Sequence, residues 1–131
     1  MSQENVKIVR GMWESFLALD LEAALNAFDP DVEWDGTNLP DGRIGRGHEA
    51  IVDHASRWAE QWQGWTVEIE EVLDAGGDQV VVIMREKGRS ESGLTMNERH
   101  GELYRLRGGK IVWRKGFSDS SEALEAAGLS E

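Results

Sequence analysis

The sequence predicts an α+β domain in which helices come first and an antiparallel sheet follows. Three observations carry that expectation. Apolar residues recur at three-and-four spacing as far as Trp62, the period drops to two from Trp65 onward, and glycine-containing turns join the later runs. Helical and extended runs segregated along one chain are the mark of this class.

Residues 4–19 carry Val6, Ile8, Val9, Met12, Trp13, Phe16 and Leu17 along one stripe, the pattern of an amphipathic helix that Asp20 closes. Leu21, Ala24, Leu25 and Phe28 repeat the spacing in a shorter helix. Pro30 stops it, because proline biases the residue before it away from helix. Val32 and Trp34 then alternate with acids in a brief strand. Residues 36–47 read as a loop, and a third helix begins at His48 with Ile51, His54, Ala55, Trp58 and Trp62 along one side. Beyond Trp65, Val67, Ile69, Glu71 and Leu73 alternate with Glu68, Glu70 and Val72 in a strand. Gly76, Gly77 and Asp78 turn the chain into a strand over 80–87, residues 88–93 connect it to another over 95–107, and Gly108 with Gly109 leads into the last over 110–118. Strands joined in this way form an antiparallel meander. Asp119, with Glu122 three residues on, resembles a capping box, and Gly128 ends the tail as a helix stop would.

Composition narrows the function classes. The 131 residues suit a single domain spanning 1–131, with one core and room for a modest cavity. Hydrophobic residues make up 40% and charged residues 30%, and no apolar run approaches the roughly 20 residues a membrane helix needs. The start of the chain has no basic segment leading into an apolar one, so no secretory signal is expected. With no cysteine, disulfides and thiolate chemistry are out, and a cytoplasmic setting suits the chain. A formal charge of −11 argues against nucleic acid and anionic membrane as partners, since both are held by clustered Lys and Arg.

Four motifs occur in order: Asp29-Pro30-Asp31-Val32-Glu33-Trp34, Gly45-Arg46-Gly47 with Glu49-Ala50-Ile51, Gly108-Gly109-Lys110-Ile111, and Glu122-Ala123-Leu124-Glu125-Ala126-Ala127-Gly128-Leu129. Together with the element order they resemble the SnoaL-like branch of the nuclear transport factor 2-like (NTF2-like, ketosteroid isomerase-like) superfamily over nearly the whole chain. The resemblance implies a cone: three N-terminal helices packed on a curved antiparallel sheet, with the helices on one face and an internal pocket. It also implies a homodimer, formed sheet to sheet, and a small, mostly apolar organic ligand. No cofactor is implied. In the related steroid isomerases a protonated acid on the third strand of the meander faces a developing oxyanion, and Glu102 falls at that position here. Their first-helix tyrosine corresponds to Met12, which has no proton to donate. Their general base is an aspartate on the first strand, where Asp35 is the nearest match after a small shift of register.

Strand alternation puts Glu98, His100, Glu102, Tyr104 and Leu106 on one face, with Arg99, Gly101, Leu103 and Arg105 on the other. His100 and Glu102, two residues apart, can approach and shift one another's pKa as an acid/base unit, or form a structural hydrogen bond. His54 lies on the apolar stripe of its helix and reads either as a general base near neutral pH or as a core histidine with one hydrogen bond. His48 is expected near the helix start and exposed. Glu86 continues the face of Val80, Val82 and Met84, and Arg114 that of Val112, so this pair would neutralise each other inside the cone, or Arg114 would hold a ligand oxygen. The other register of the last strand turns Trp113 and Phe117 inward instead. Among six tryptophans, Trp13, Trp34 and Trp58 fall on inward faces with Phe16 and Tyr104, either walling a pocket for a planar or cyclic ligand or filling core.

Metal-binding and phosphate-loop motifs are absent from the sequence, and its three histidines are scattered. Candidate proton carriers are therefore His54, His100, Glu102 and Asp35. Candidate ligand contacts are Trp13, Phe16, Trp34, Trp58, Met84, Glu86, Tyr104 and Arg114. The chemistry expected is cofactor-free isomerisation, aldol-type cyclisation or hydration. The alternatives are a non-catalytic ligand binder, or an interaction module that uses Arg105, Arg107 and Arg114 on the outer sheet face.

Overall fold

A computed structural model describes residues 2–39 and 42–129. Helix α1 (Ser2–Leu17) is followed by α2 (Leu21–Asn26), β1 (Phe28–Asp35), β2 (Ile44–Arg46) and α3 (His48–Gln61). Four longer elements, β3 (Gln63–Gly76), β4 (Gln79–Arg89), β5 (Thr95–Arg107) and β6 (Lys110–Phe117), precede α4 (Ser120–Ala126). The strands form one six-stranded sheet in the order β2-β1-β6-β5-β4-β3. The meander β3 to β6 is antiparallel as expected, while β1 returns to lie parallel beside β6.

The second helix is shorter than its apolar spacing suggests. Asp20 caps its start by accepting the Ala23 amide, but Ala27 ends it and Phe28 already belongs to β1. Pro30 therefore sits inside a strand. Its missing N–H falls in the stretch between Phe28 and Glu33 where the pairing with β6 is interrupted, so no ladder bond is lost. The expected 36–47 loop contains β2, three residues that pair with β1 from Glu33 to Asp35. Three residues are too few to show a period.

Two of the sheet's β-bulges, one on β3 and one on β6, reassign the faces that matter for the cone. On β3, Ile69 pairs with Met84 and Glu71 with Ile83, so Glu70 is an extra residue. Val67 and Ile69 pack into the cone, and past the bulge Val72 does so as well while Leu73 goes to the convex side. On β6, Ile111 pairs with Leu106 and Trp113 with Arg105, which leaves Val112 unpaired. Arg114 thus shares the concave face with Ile111 rather than following Val112, and Trp113 and Phe117 face outward. Each bulge bends its strand, and bent strands are what curl a sheet into a cone.

The concave side carries α1, α2 and α3 over the main core of Val9, Met12, Trp13, Phe28, Trp34, Val80, Val82, Met84 and Tyr104. The helices are not confined to that side. Helix α4 packs on the convex face, where Ala123 and Ala127 cover Val81, Ile83, Leu103 and Phe117. Accordingly Val80 to Met84 are all at most 2% exposed, and this unbroken apolar run marks a strand covered on both faces. Among the described residues no helix is long and apolar enough to cross a membrane.

Candidate functional site

The cone encloses a cavity of about 120 Å³, somewhat smaller than the ~150 Å³ apolar cavity known to take up benzene. Its walls come from stripes the sequence already shows: Met12, Trp13 and Phe16 from α1, and Ile51, His54, Ala55 and Trp58 from α3. Phe28, Trp65 and Met84 add to them from the sheet. The rim is apolar too, with Leu21 and Val52 lining the opening while about half exposed. Leu39, in the β1–β2 connection, reaches the cavity because Gly116 has no side chain: a Cβ there would stand 2.8 Å from Leu39 Cδ1 and 3.1 Å from Trp34 Cη2.

Four buried charged residues, Glu86, His100, Glu102 and Arg114, line the same cavity. They form two pairs, and the pairing is the reverse of that expected. His100 Nδ1–H donates to Glu86 rather than meeting Glu102, and Arg114 binds Glu102 rather than Glu86. Register explains the exchange. Met84 lies opposite His100 and Glu98 opposite Glu86, so Glu86 and His100 are diagonal neighbours across the β4–β5 ladder. Arg114 lies opposite Tyr104, hence diagonal to Glu102 on the other side of β5.

The Arg114–Glu102 contact is side-on. Nε lies 3.1 Å from Oε1, and Nη2 lies 2.9 Å from Oε1 and 2.8 Å from Oε2. Tyr104 donates its O–H to the same carboxylate and accepts the Trp13 indole N–H at 2.9 Å. Glu102 is therefore an acceptor throughout, which is how an ionised carboxylate behaves. Aromatic rings surround the guanidinium: Cζ lies 5.1 Å from the ring centre of Trp34, 5.6 Å from those of Trp13 and Tyr104, and 5.9 Å from that of Phe28. Burial pushes the Tyr104 phenol well above its ordinary value, so it stays protonated. Burial works against the Arg114 cation, yet the Glu102 charge outweighs it and the pKa rises.

His100 is subject to the same contest. Burial alone would lower its pKa, but the Glu86 hydrogen bond and the charges of Glu86, Glu98 and Glu102 raise it on balance. Trp65 supports Glu86 through an indole N–H at 3.3 Å. Trp58 packs edge-on to the His100 ring, 6.2 Å between centres, and continues into a stack with His54 and Trp34. His54 lies 4.2 Å from Trp34 in that stack and borders the cavity.

Asp35 is placed elsewhere. Its carboxylate accepts from the Thr37 amide at 3.0 Å and from the Thr37 hydroxyl, faces Lys115 at 3.6 Å on the convex side, and does not border the cavity. Burial would raise its pKa, but the Thr37 hydrogen bonds and Lys115 lower it overall. His48 is half-buried, with Nε2 bonded to the Phe28 carbonyl at 2.9 Å. Arg114 is inside the cone and unavailable to the outer sheet face, where Arg105 instead covers Trp113 at 4.2 Å. Sequence reasoning did not single out Phe28, Leu39 or Gly116 as lining residues. Phe28 was hidden by its helical spacing, and Leu39 and Gly116 meet only through folding. Among the described residues no cluster of three or more His, Asp or Glu side chains stands ready to hold a metal ion.

This geometry, a curled sheet closed by helices around a pocket, is that of the NTF2-like class. An NTF2-like protein from Burkholderia thailandensis E264 superposes with a TM-score of 0.79 at 25% identity, covering 94% of this chain and 95% of that one. TerC, co-crystallised with polyporic acid, gives 0.75 at 22% identity over 95% and 98% of the two chains. Rv0760c from Mycobacterium tuberculosis, in complex with estradiol-17beta-hemisuccinate, gives 0.67 at 23% identity over 87% and 92%. The SnoaL-like domain model matches residues 9–114, and the chain belongs to that family. No curated protein matches it.

Proposed function

We propose that this protein binds a compact, mostly apolar organic molecule in its cone and acts on it by cofactor-free acid/base chemistry of the isomerase, cyclase or hydratase kind. The observation that carries this reading is a buried His100–Glu86 pair bordering an apolar cavity of about 120 Å³. A carboxylate on Nδ1–H orients the imidazole and leaves Nε2 as the nitrogen that exchanges protons. Among the described residues Nε2 makes no hydrogen bond. Glu102, committed to Arg114 and Tyr104, positions rather than transfers. His54 is the second candidate base, from the opposite wall. Asp35 would need to leave Lys115 and Thr37 to take part, and ranks last of the four. The organic ligands of TerC and Rv0760c, in the same fold, fit such a use of the cone.

Native mass spectrometry of the purified protein, followed by denaturation to release anything bound, tests the binding. Titration with ring-sized apolar compounds, read in tryptophan emission, extends the test to an empty preparation. The expected result is uptake by the wild type and by His100→Gln, with conversion lost only in the latter. Refusal of every such compound would overturn the reading. A binding-only role is favoured by one feature, the mutual saturation of Glu102, Arg114 and Tyr104, and predicts uptake with no conversion in either protein. We further propose a cytoplasmic homodimer that meets through the part of the convex face α4 leaves open. Sedimentation at micromolar concentration reads the dimer directly.

A further inference from the structure

A second cavity lies outside the cone, where α3 meets the β2 edge of the sheet. Its volume of about 170 Å³ is close to the ~150 Å³ that takes up benzene. Gly45 lets the helix come so near the strand: a Cβ there would stand 2.7 Å from Ala50 Cβ. Ala50, Asp53, His54 and Arg57 follow at three-and-four spacing, so one face of α3 lines the cavity. Trp34 and Ile44 add apolar surface from the sheet, and Arg43 immediately precedes β2. His54, stacked on Trp34, borders this cavity on one side and the cone on the other.

The charge here runs against that of the whole chain. The protein carries −11, yet two guanidinium groups and one carboxylate line this cavity and leave one positive charge, to which His54 adds when protonated. Asp53 feels all three bases. The Arg57 hydrogen bond holds its carboxyl below the usual value, against a desolvation that would raise it, and the charges of Arg57, Arg43 and His54 act in the same direction as the bond. Arg57 gives Asp53 its Nε at 2.8 Å, which leaves the fork of Nη groups for a second acceptor. With side chains 41% and 55% exposed, this ion pair is weak and yields readily to an incoming anion.

We propose that this cavity is a second ligand site, separate from the cone, and that it takes a small organic acid in its monoanionic carboxylate form. Arg57 and Arg43 hold the carboxylate, and the apolar body of the acid lies against Trp34, Ile44 and Ala50. A dianion would exceed the single positive charge the lining supplies. An inorganic ion would leave the apolar half of the cavity without a partner.

The test uses the full chain with benzoate, its neutral isostere benzamide, and inorganic phosphate. Binding is followed by tryptophan emission and by the backbone amide shifts of Gly45 and Ala50, compared with those of Met84 and Trp58 in the cone. Benzoate is expected to bind at least about tenfold tighter than benzamide, since charge-assisted hydrogen bonds are at stake, and to shift Gly45 and Ala50 most. Arg57→Gln should weaken benzoate about tenfold and leave benzamide unchanged. Arg57→Lys, which keeps the charge without the fork, should recover part of the loss. The melt of Arg57→Gln should match the wild type, because the ion pair removed is an exposed one. Equal binding of benzoate and benzamide, or unaltered benzoate affinity in Arg57→Gln, overturns the carboxylate site. Shifts confined to Met84 and Trp58 place benzoate in the cone and overturn the second site. Phosphate binding as tightly as benzoate overturns the organic acid in favour of a general anion site, and binding of no probe overturns the proposal outright.

Discussion

Arg114 brings a full charge into a volume walled by four aromatic rings, and Glu102 is what makes that placement tolerable. Breaking a buried pair by removing one partner leaves the other charge without compensation. Glu102→Gln and Arg114→Met should each lower stability by about 3–5 kcal/mol, and the double variant should recover most of the loss. Urea unfolding of the three proteins gives the coupling directly. His100 predicts a dependence on pH. Its folded pKa lies above the ordinary 6.5, so its contribution is complete below that value and disappears as the pH rises through the folded pKa. Thermal melts should therefore fall through that range in the wild type, and His100→Gln should flatten the decline. The residue types involved were legible in the sequence: His100, Glu102, Glu86 and Arg114 all stood out as ionisable groups on faces that alternation shares with apolar neighbours. Their partners were not, because a partner across a ladder is set by strand register.

Among the elements, β4 and α4 illustrate how local signals are used. Five consecutive apolar residues, Val80 to Met84, cannot all face one side of a sheet, and α4 supplies the second cover. Gly101 allows that contact. A Cβ on it would lie 2.5 Å from Ala123 Cβ and 3.4 Å from Ser120 Cα. Gly101→Ala should push α4 outward and cost about 1–3 kcal/mol, measured by denaturant unfolding, while faster proteolytic nicking of the tail would show where the loss falls. The bulges at Glu70 and Val112 work in the opposite sense, since they turn side chains to faces that plain alternation denies them. The periods of α1 and α3 survived because each reflects neighbours within about four residues, while that of α2 lost Phe28 to β1. Strand faces beyond a bulge did not, since one inserted residue inverts everything after it. Strand β2 escaped notice for a simpler reason, its length.

For the whole molecule, the cavity is a cost unless something fills it, because an unfilled apolar space gives up the packing contacts of its walls. A ligand that binds only the folded chain should raise its stability by about 2.7 kcal/mol at a hundred times its Kd. A thermal shift that grows with ligand concentration, and disappears when Trp58→Ala opens the wall between His54 and His100, would place that ligand inside the cone. No shift with any ring-sized compound would count against the cavity as a site. The same scale shows where local reading ends. Capping at Asp20 and Asp119, the glycine turns and the amphipathic stripes follow from residues close in the chain, and the sequence by itself determined the order of the elements other than β2, the α+β class and the family. Only the tertiary structure decided that β1 lies parallel beside β6, that α4 covers the outer face, and that His100 meets Glu86 while Arg114 meets Glu102. Those outcomes join residues far apart in sequence, and the free energy that selects them comes from ladder register and the packing of both sheet faces together, which no short window of sequence contains.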